Sequence, residues 1–144
     1  LNYLLDTCVI SELVKPVPDQ GVLEWLTAQP EERIFLSVVT LGEIQAGISK
    51  LADSRRKIDL LSWLENHLLP RFAQRMLPVS AEAAILWGMK RGEAAATGTT
   101  LPLADSMIAA TAIALGMTVV TRNSKDLQRC GALVINPWGS SSKG

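Results

Sequence analysis

Short apolar runs alternate along the chain with longer stretches in which apolar residues recur at helical spacing. Tyr3-Leu4-Leu5 forms a strand candidate that stops at Asp6, and a helix is expected to start near Thr7. Val22, Leu23 and Leu26 repeat at helical spacing after Pro18, and Pro30 marks the end of that helix. Arg33 to Ser37 (RIFLS) is a second strand, followed from about Val39 by a helix with Leu41, Ile44, Ile48 and Leu51 on one stripe. From Arg55 to about Leu69 the stripe is Ile58, Leu61, Leu64 and Leu68, and Pro70 is expected to close it. Arg75 to Val79 is a third strand candidate. Ser80 opens a helix running to about Ala96, and Pro102 opens another that ends at Gly116. Thr118 to Thr121 and Leu133 to Ile135 are the last strands. Strands separated by helices predict an α/β fold with a mostly parallel sheet.

The 144 residues suit one domain with a single sizeable core. Hydrophobic content of 48% against 19% charged fits a compact fold. The 14 basic and 14 acidic residues cancel, so any attraction to phosphate must be local. Cys8, Cys130 and the lone His67 cannot supply a Cys/His zinc site of ordinary spacing. Two reduced thiols are expected, since nothing in the sequence suggests export. The apolar stretch from Leu101 to Val120 carries Asp105, Ser106, Thr111 and Gly116 and makes a poor membrane span. A cytoplasmic protein is the simplest expectation, with one domain over residues 1–138. Residues 139–144 are expected to be an unstructured tail of the kind an expression vector adds.

In an open parallel sheet, ligands bind outside the carboxyl ends of the strands. Asp6 sits where the first strand stops, and Glu43 lies in the first turns of the helix leaving the second strand. Asn123 follows the strand at Thr118–Thr121. The helix carrying Asp105 feeds that strand and must run antiparallel to it, which brings its N-terminus to the same edge. Leu101, Ile108, Ala109 and Ala112 share the Asp105 face, so this acid belongs to the apolar side and needs a partner or a metal. Carboxylates gathered in one cleft repel each other, and a divalent cation relieves this. Oxygen ligands without His or Cys point to Mg²⁺ or Mn²⁺. Each acid also has a plainer role open to it: Asp6 as a helix cap, Glu43 as a solvated helix residue, Asp105 as a partner for the helix dipole.

Four segments carry a resemblance: LLDTCVISEL at Leu4–Leu13, LSVVTLGEIQAGI at Leu36–Ile48, LPLADSMIAATAIALGMTVVTRN at Leu101–Asn123 and INPW at Ile135–Trp138. In this order and spacing the chain resembles the PIN-domain ribonucleases, specifically the VapC-like toxins of toxin–antitoxin pairs, and INPW is similar to the FitB-type subgroup. The resemblance implies a three-layer α/β/α fold around a mostly parallel five-stranded sheet. It implies metal-assisted hydrolysis of RNA, with Asp6, Glu43 and Asp105 as catalytic acids holding Mg²⁺ or Mn²⁺ and Asn123 at the fourth catalytic position. Thr7 and Thr121 would stand around them and orient carboxylates or waters, while Asp126, three residues past Asn123, is open equally to a place beside the acids and to capping a helix. Arg122 and Lys125 would meet the RNA backbone, with Arg55-Arg56-Lys57 and Lys90-Arg91 as further basic candidates. A homodimer is implied, together with a small VapB/FitA-like antitoxin whose tail enters the cleft; Trp63 and Trp87 are candidates for those interfaces, with core packing as their default role. Two positions depart from the family: an amide at Asn123 where members carry Asp, and Cys8 where the family usually has Asn.

Two other readings compete. A phosphatase of the haloacid-dehalogenase kind also places an Asp after the first strand, but it wants a second Asp two residues later as general acid, and Cys8 occupies that place. An RNA- or protein-binding module with a degenerate acid cluster is the non-enzymatic alternative.

Overall fold

A computed structural model of the chain describes residues 1–139. The tail expected at 139–144 therefore lies, Gly139 apart, outside the described residues. Among those residues five strands form one sheet: β1 (Tyr3–Leu5), β2 (Ile34–Ser37), β3 (Met76–Leu77), β4 (Thr118–Val120) and β5 (Val134–Ile135). The spatial order is β3-β2-β1-β4-β5, and each neighbouring pair is parallel. From β1 the chain winds outward through β2 to β3, then crosses back over β1 to β4 and β5. β1 and β4 are thus the adjacent strands at which the winding direction reverses, and the crevice above their carboxyl ends is where such sheets bind ligands.

Successive residues of a strand face opposite sides of the sheet, which sorts the core into two layers. Leu5, Leu36 and Val120 pack with Val9, Ile10, Ile44, Ile48 and Phe72 on one side. Leu4 and Val119 pack with Ile108, Ala109, Ala112 and Leu127 on the other. Helices α1 (Thr7–Leu13), α2 (Gln20–Ala28), α3 (Val38–Ser49), α4 (Arg55–Trp63) and α5 (Leu69–Phe72) contribute to the first layer, and α7 (Leu103–Leu115) and α8 (Ser124–Arg129) to the second, with α6 (Ala81–Ala96) lying against α7. The expected α/β/α arrangement is the one observed. Among the described residues no helix is long and apolar enough to cross a membrane. Cys8 and Cys130 are both free thiols.

Helix starts follow local chemistry. Ser37, Ser54 and Ser80 each accept a backbone N–H of the first turn of α3, α4 and α6. Gly116, at φ 66°, ends α7 in the left-handed conformation that a side chain disfavours. Pro70 does not close its helix as expected. The chain runs from α4 through a π turn (Leu64–Leu68) into α5, with Pro70 in its first turn. The wider turn ahead of it resets the hydrogen-bond ladder, so the missing Pro N–H interrupts nothing. The third strand is two residues long, not five: Arg75 O still accepts from Leu36 N at 3.0 Å, but Pro78 has no N–H with which to extend the ladder, and the Arg75 guanidinium donates to the carbonyls of Glu31, Ile34 and Arg71. Arg33 falls in a 3₁₀ turn before β2, and Leu51 lies past the end of α3.

The end of the described chain folds back onto the start of α2. Asp19 Oδ2 accepts from Val22 N at 3.1 Å and from Gly139 N at 2.9 Å, while Asp19 N donates to Glu12 Oε2 at 2.9 Å. Glu12 is only 5% exposed. Lys15, which donates to its carboxylate, holds that group below the usual Glu range, and the Asp19 N–H and the Trp138 indole act in the same direction against its burial. A Cβ placed on Gly21 would stand 2.5 Å from Pro137 O and 2.6 Å from Gly139 N. Gly21→Ala should therefore lower stability by about 1–3 kcal/mol in urea or thermal melts, through backbone overpacking; unchanged stability would show that the C-terminal segment is not held there.

Candidate active site

Asp6 is the first residue past β1 and is 2% exposed. Its backbone N–H donates to Val120 O at 2.9 Å, which locks it beside the end of β4. Its two side-chain oxygens have different tasks. Oδ1 accepts from Thr7 N at 2.8 Å, so the capping role holds for that oxygen. Oδ2 accepts from Thr121 Oγ1 at 2.8 Å and from Cys8 Sγ at 3.6 Å. A carboxylate taken out of water needs such donors.

Glu43 reaches the same place from the exposed side of α3. Its Oε1 accepts a short hydrogen bond from Thr7 Oγ1, which also lies 3.0 Å from Thr40 Oγ1. A carboxylate only accepts, so the single Thr7 proton goes to Glu43 and Thr40 supplies the other bond. Thr40 is fully buried. Sequence reasoning did not single it out, although it stands three residues before Glu43 and so on the same helical face.

Asp105 lies in the first turn of α7, half-buried beside Leu101 and Ile108. Desolvation, followed by the charges of Asp6, Asp126 and Glu43, raises its carboxyl to about 6. Asp126, from the first turn of α8, is thus a larger influence on Asp105 than Glu43 is. Among the described residues no three or more His, Cys, Asp or Glu side chains already stand together as a metal cluster. The acids share one electrostatic neighbourhood without closing on a common point.

Asn123 takes part through its backbone: its N–H donates to Thr121 Oγ1 at 2.9 Å, and its amide does not cap α8. It lines a shallow groove of about 410 Å³ with Arg122, Ser124, Lys125, Asp126 and Asn136. The three acids Asp6, Glu43 and Asp105 do not line that groove, whereas Asp126 does. Cys8 replaces the bonds an Asn would make with weaker ones. Its thiol touches Asp6 and, at 3.6 Å, Thr121 Oγ1, while Arg122 N donates to Sγ at 3.4 Å. Burial, then the Asp6 charge, pushes this thiol up, so it stays protonated at neutral pH.

Two grooves meet at Glu43. One, of about 620 Å³, runs between α3 and the start of α7 and holds Asp105 with Gly42, Ala46 and Leu103. The other, of about 370 Å³, runs between α1, α3 and α4 past Thr7, Lys15, Arg56 and Trp63. Trp87 faces inward instead, donating from Nε1 to Ser106 Oγ at 3.0 Å with Arg91 stacked on its ring at 5.1 Å.

The raised Asp105 carboxyl makes stability fall as pH rises. Below about pH 4 the group is protonated both folded and unfolded. Between there and about 6 the folded chain keeps a proton that the unfolded chain has released, so each step up in pH favours unfolding. Urea melts in EDTA should show Asp105→Asn gaining roughly 1 kcal/mol over wild type at pH 7, a figure reduced for partial solvent screening, and little at pH 4. Equal gains at both pH values would remove charge crowding as the cause.

A PIN-domain family model matches residues 3–132. "VapC ribonuclease Y4jK" of Sinorhizobium fredii is 38% identical over 94% of this chain and 96% of its own. "Toxin FitB" of Neisseria gonorrhoeae is 37% identical over 94% of this chain and 97% of its own. The crystal structure of FitAcB from Neisseria gonorrhoeae superposes with a TM-score of 0.86 at 37% identity, covering 94% of this chain and 98% of that one. With strand order, acid placement and these matches in agreement, the chain belongs to the PIN-domain family.

Proposed function

We propose that this chain is an endoribonuclease, the toxin half of a toxin–antitoxin pair, that cleaves RNA phosphodiester bonds with Mg²⁺ or Mn²⁺ held by Asp6, Glu43 and Asp105. The observation that carries the reading is the gathering of carboxylates around Asp105, whose proton affinity is raised first by burial and then by the charges of Asp6, Asp126 and Glu43. Ionised near neutral pH, these acids repel one another in a partly desolvated place, and a divalent cation would relieve that repulsion. The donor set, all carboxylate oxygen, suits a hard cation. When bound, the ion supplies acidity for generating a nucleophile from water and positive charge for the phosphate.

The chain's own residues prepare this. Thr121 and the Thr7 N–H hold Asp6 by both oxygens in a single orientation. Thr7, backed by Thr40, draws Glu43 toward the β1 edge. Asp105, in the first turn of α7, would complete the set. Arg122 and Lys125, exposed beside the acids, would take backbone phosphates. The groove through Lys15, Arg56 and Trp63 ends at Glu43, which suits a peptide tail of a VapB/FitA-like antitoxin entering the cleft. A relative named as a toxin, together with a solved FitAcB structure of the same fold, supports that pairing. A second copy of the chain is the other expected partner. One observation favours the alternative of a catalytically weak binding module: the acids do not already stand together as a metal cluster.

The test is cleavage of single-stranded RNA by the chain freed of antitoxin, in Mg²⁺, Mn²⁺ or EDTA. Cleavage should need the cation, and Asp105→Asn should lose more than the roughly 10–100-fold that removing an outer partner of a metal ligand costs. Equal cleavage in every condition would sink the proposal, and metal-independent binding without cleavage would favour the binding module. In a separate measurement, Mn²⁺ should raise the melting temperature of wild type more than that of Asp6→Asn. An equal rise in both would exclude Asp6 as a ligand.

A further inference from the structure

The Ile135–Trp138 motif enters none of the chemistry above, yet it ends against the cleft. Trp138 is 6% exposed, and its position is set from several sides. Its backbone N–H donates to Asn136 Oδ1 at 3.0 Å, and the next residue, Gly139, donates to Asp19 Oδ2 at 2.9 Å. Pro137 O comes so close to Gly21 that no Cβ fits between them. The indole is therefore a rigid plate. On it lies the Arg122 guanidinium, with its carbon 5.6 Å from the ring centroid.

Arg122 is also placed by its backbone. It follows Thr121, which bonds Asp6, and its N–H donates to Cys8 Sγ at 3.4 Å. The side chain is exposed and lines the groove that also holds Lys125 and Asp126. An arginine on a solvated rim otherwise loses several rotors when it grips a ligand. Contact with the ring restrains the guanidinium without using any of its N–H donors, which stay available to a ligand.

We propose that Trp138 is a positioning residue for Arg122, holding its guanidinium over the indole at the rim of the acid cluster so that its N–H donors grip a backbone phosphate of the RNA strand next to the cleaved bond. The proposal rests on the reading of the cleft as an RNA site. It assigns the C-terminal motif a part in substrate binding in addition to its structural clasp on α2.

The test has two arms. In NMR of the free chain, the Arg122 Nε–H should be ordered in wild type, mobile in Trp138→Leu, and largely ordered in Trp138→Phe, which keeps an aromatic face. In EDTA at low salt, a labelled single-stranded RNA should bind Trp138→Leu roughly two- to fivefold more weakly than wild type, the range expected for losing one exposed cation–π contact. Arg122→Ala should reduce the slope of log affinity against log salt by about 0.7, one phosphate's worth for a single strand. In the Arg122→Ala background Trp138→Leu should cost nothing further, since the tryptophan acts only through the arginine. Trp138→Phe keeps the test open if the leucine variant folds poorly: near-wild-type binding supports the proposal. Equal RNA affinity for wild type and Trp138→Leu, or losses that multiply in the double variant, would overturn the positioning role. Failure of wild type itself to bind RNA, with Arg122 still ordered, would instead overturn the nuclease reading and the phosphate role with it.

Discussion

The hydrogen bond from Thr121 to Asp6 joins the two strand ends at which the sheet reverses its winding, and the site is built outward from it. It spans 115 positions in sequence at 2.8 Å, in a place closed to solvent. It can form only if β1 and β4 are neighbours in register, which the parallel pairing of Leu5 with Val120 ensures. Once made, it uses one carboxylate oxygen and leaves Thr121 able to accept from Asn123 N. The loop carrying Arg122 and Asn123 is thereby referenced to the first acid of the chain. A buried carboxylate without this donor would carry an uncompensated charge, so the fold and the site share one constraint.

Crowding of acids is the second consequence. The α3 and α7 helices converge on the β1 edge from opposite sides, and α8 adds Asp126 behind Asp105. Burial, and then the charges of Asp6, Asp126 and Glu43, push the Asp105 carboxyl up. Cys8 softens this corner. A thiol at 3.6 Å from Asp6 is a weak donor beside the threonine at 2.8 Å, so Thr121 carries most of the orientation.

The C-terminal segment performs a different task from the sheet. It ties α2 to the end of the chain through Asp19 and Glu12, and it presents a flat indole to the one arginine that follows Thr121. Structure far from the acids in sequence thus sets the cationic side of the same cleft. Gly21 is the residue that makes the approach possible, because any side chain there would meet the Pro137 carbonyl.

The alternation of apolar runs with helical stripes was enough to predict the α/β class, the five strands to within a residue or two at each end, and the rim that holds Asp6, Glu43 and Asp105. These features are written in local patterns: a strand ends where its apolar run ends, and an acid one residue later must lie at its carboxyl edge. Pro70 misled because a π turn, a matter of backbone hydrogen bonding over several residues, absorbs its missing donor. The expected β3 ran long because its pairing with β2 stops at Pro78, which has no N–H to offer, although Arg75 O still accepts from Leu36 N. Thr40, Asp126 and Trp138 gained their places only in three dimensions. Their partners Thr7, Asp105 and Arg122 lie on other elements, and no periodicity within one helix or strand encodes a distance between elements. The amino-acid sequence by itself determined which residues carry charge to the edge of the sheet. Tertiary packing decided which of those charges face one another, because electrostatic and hydrogen-bonding energies depend on separation in space and not along the chain.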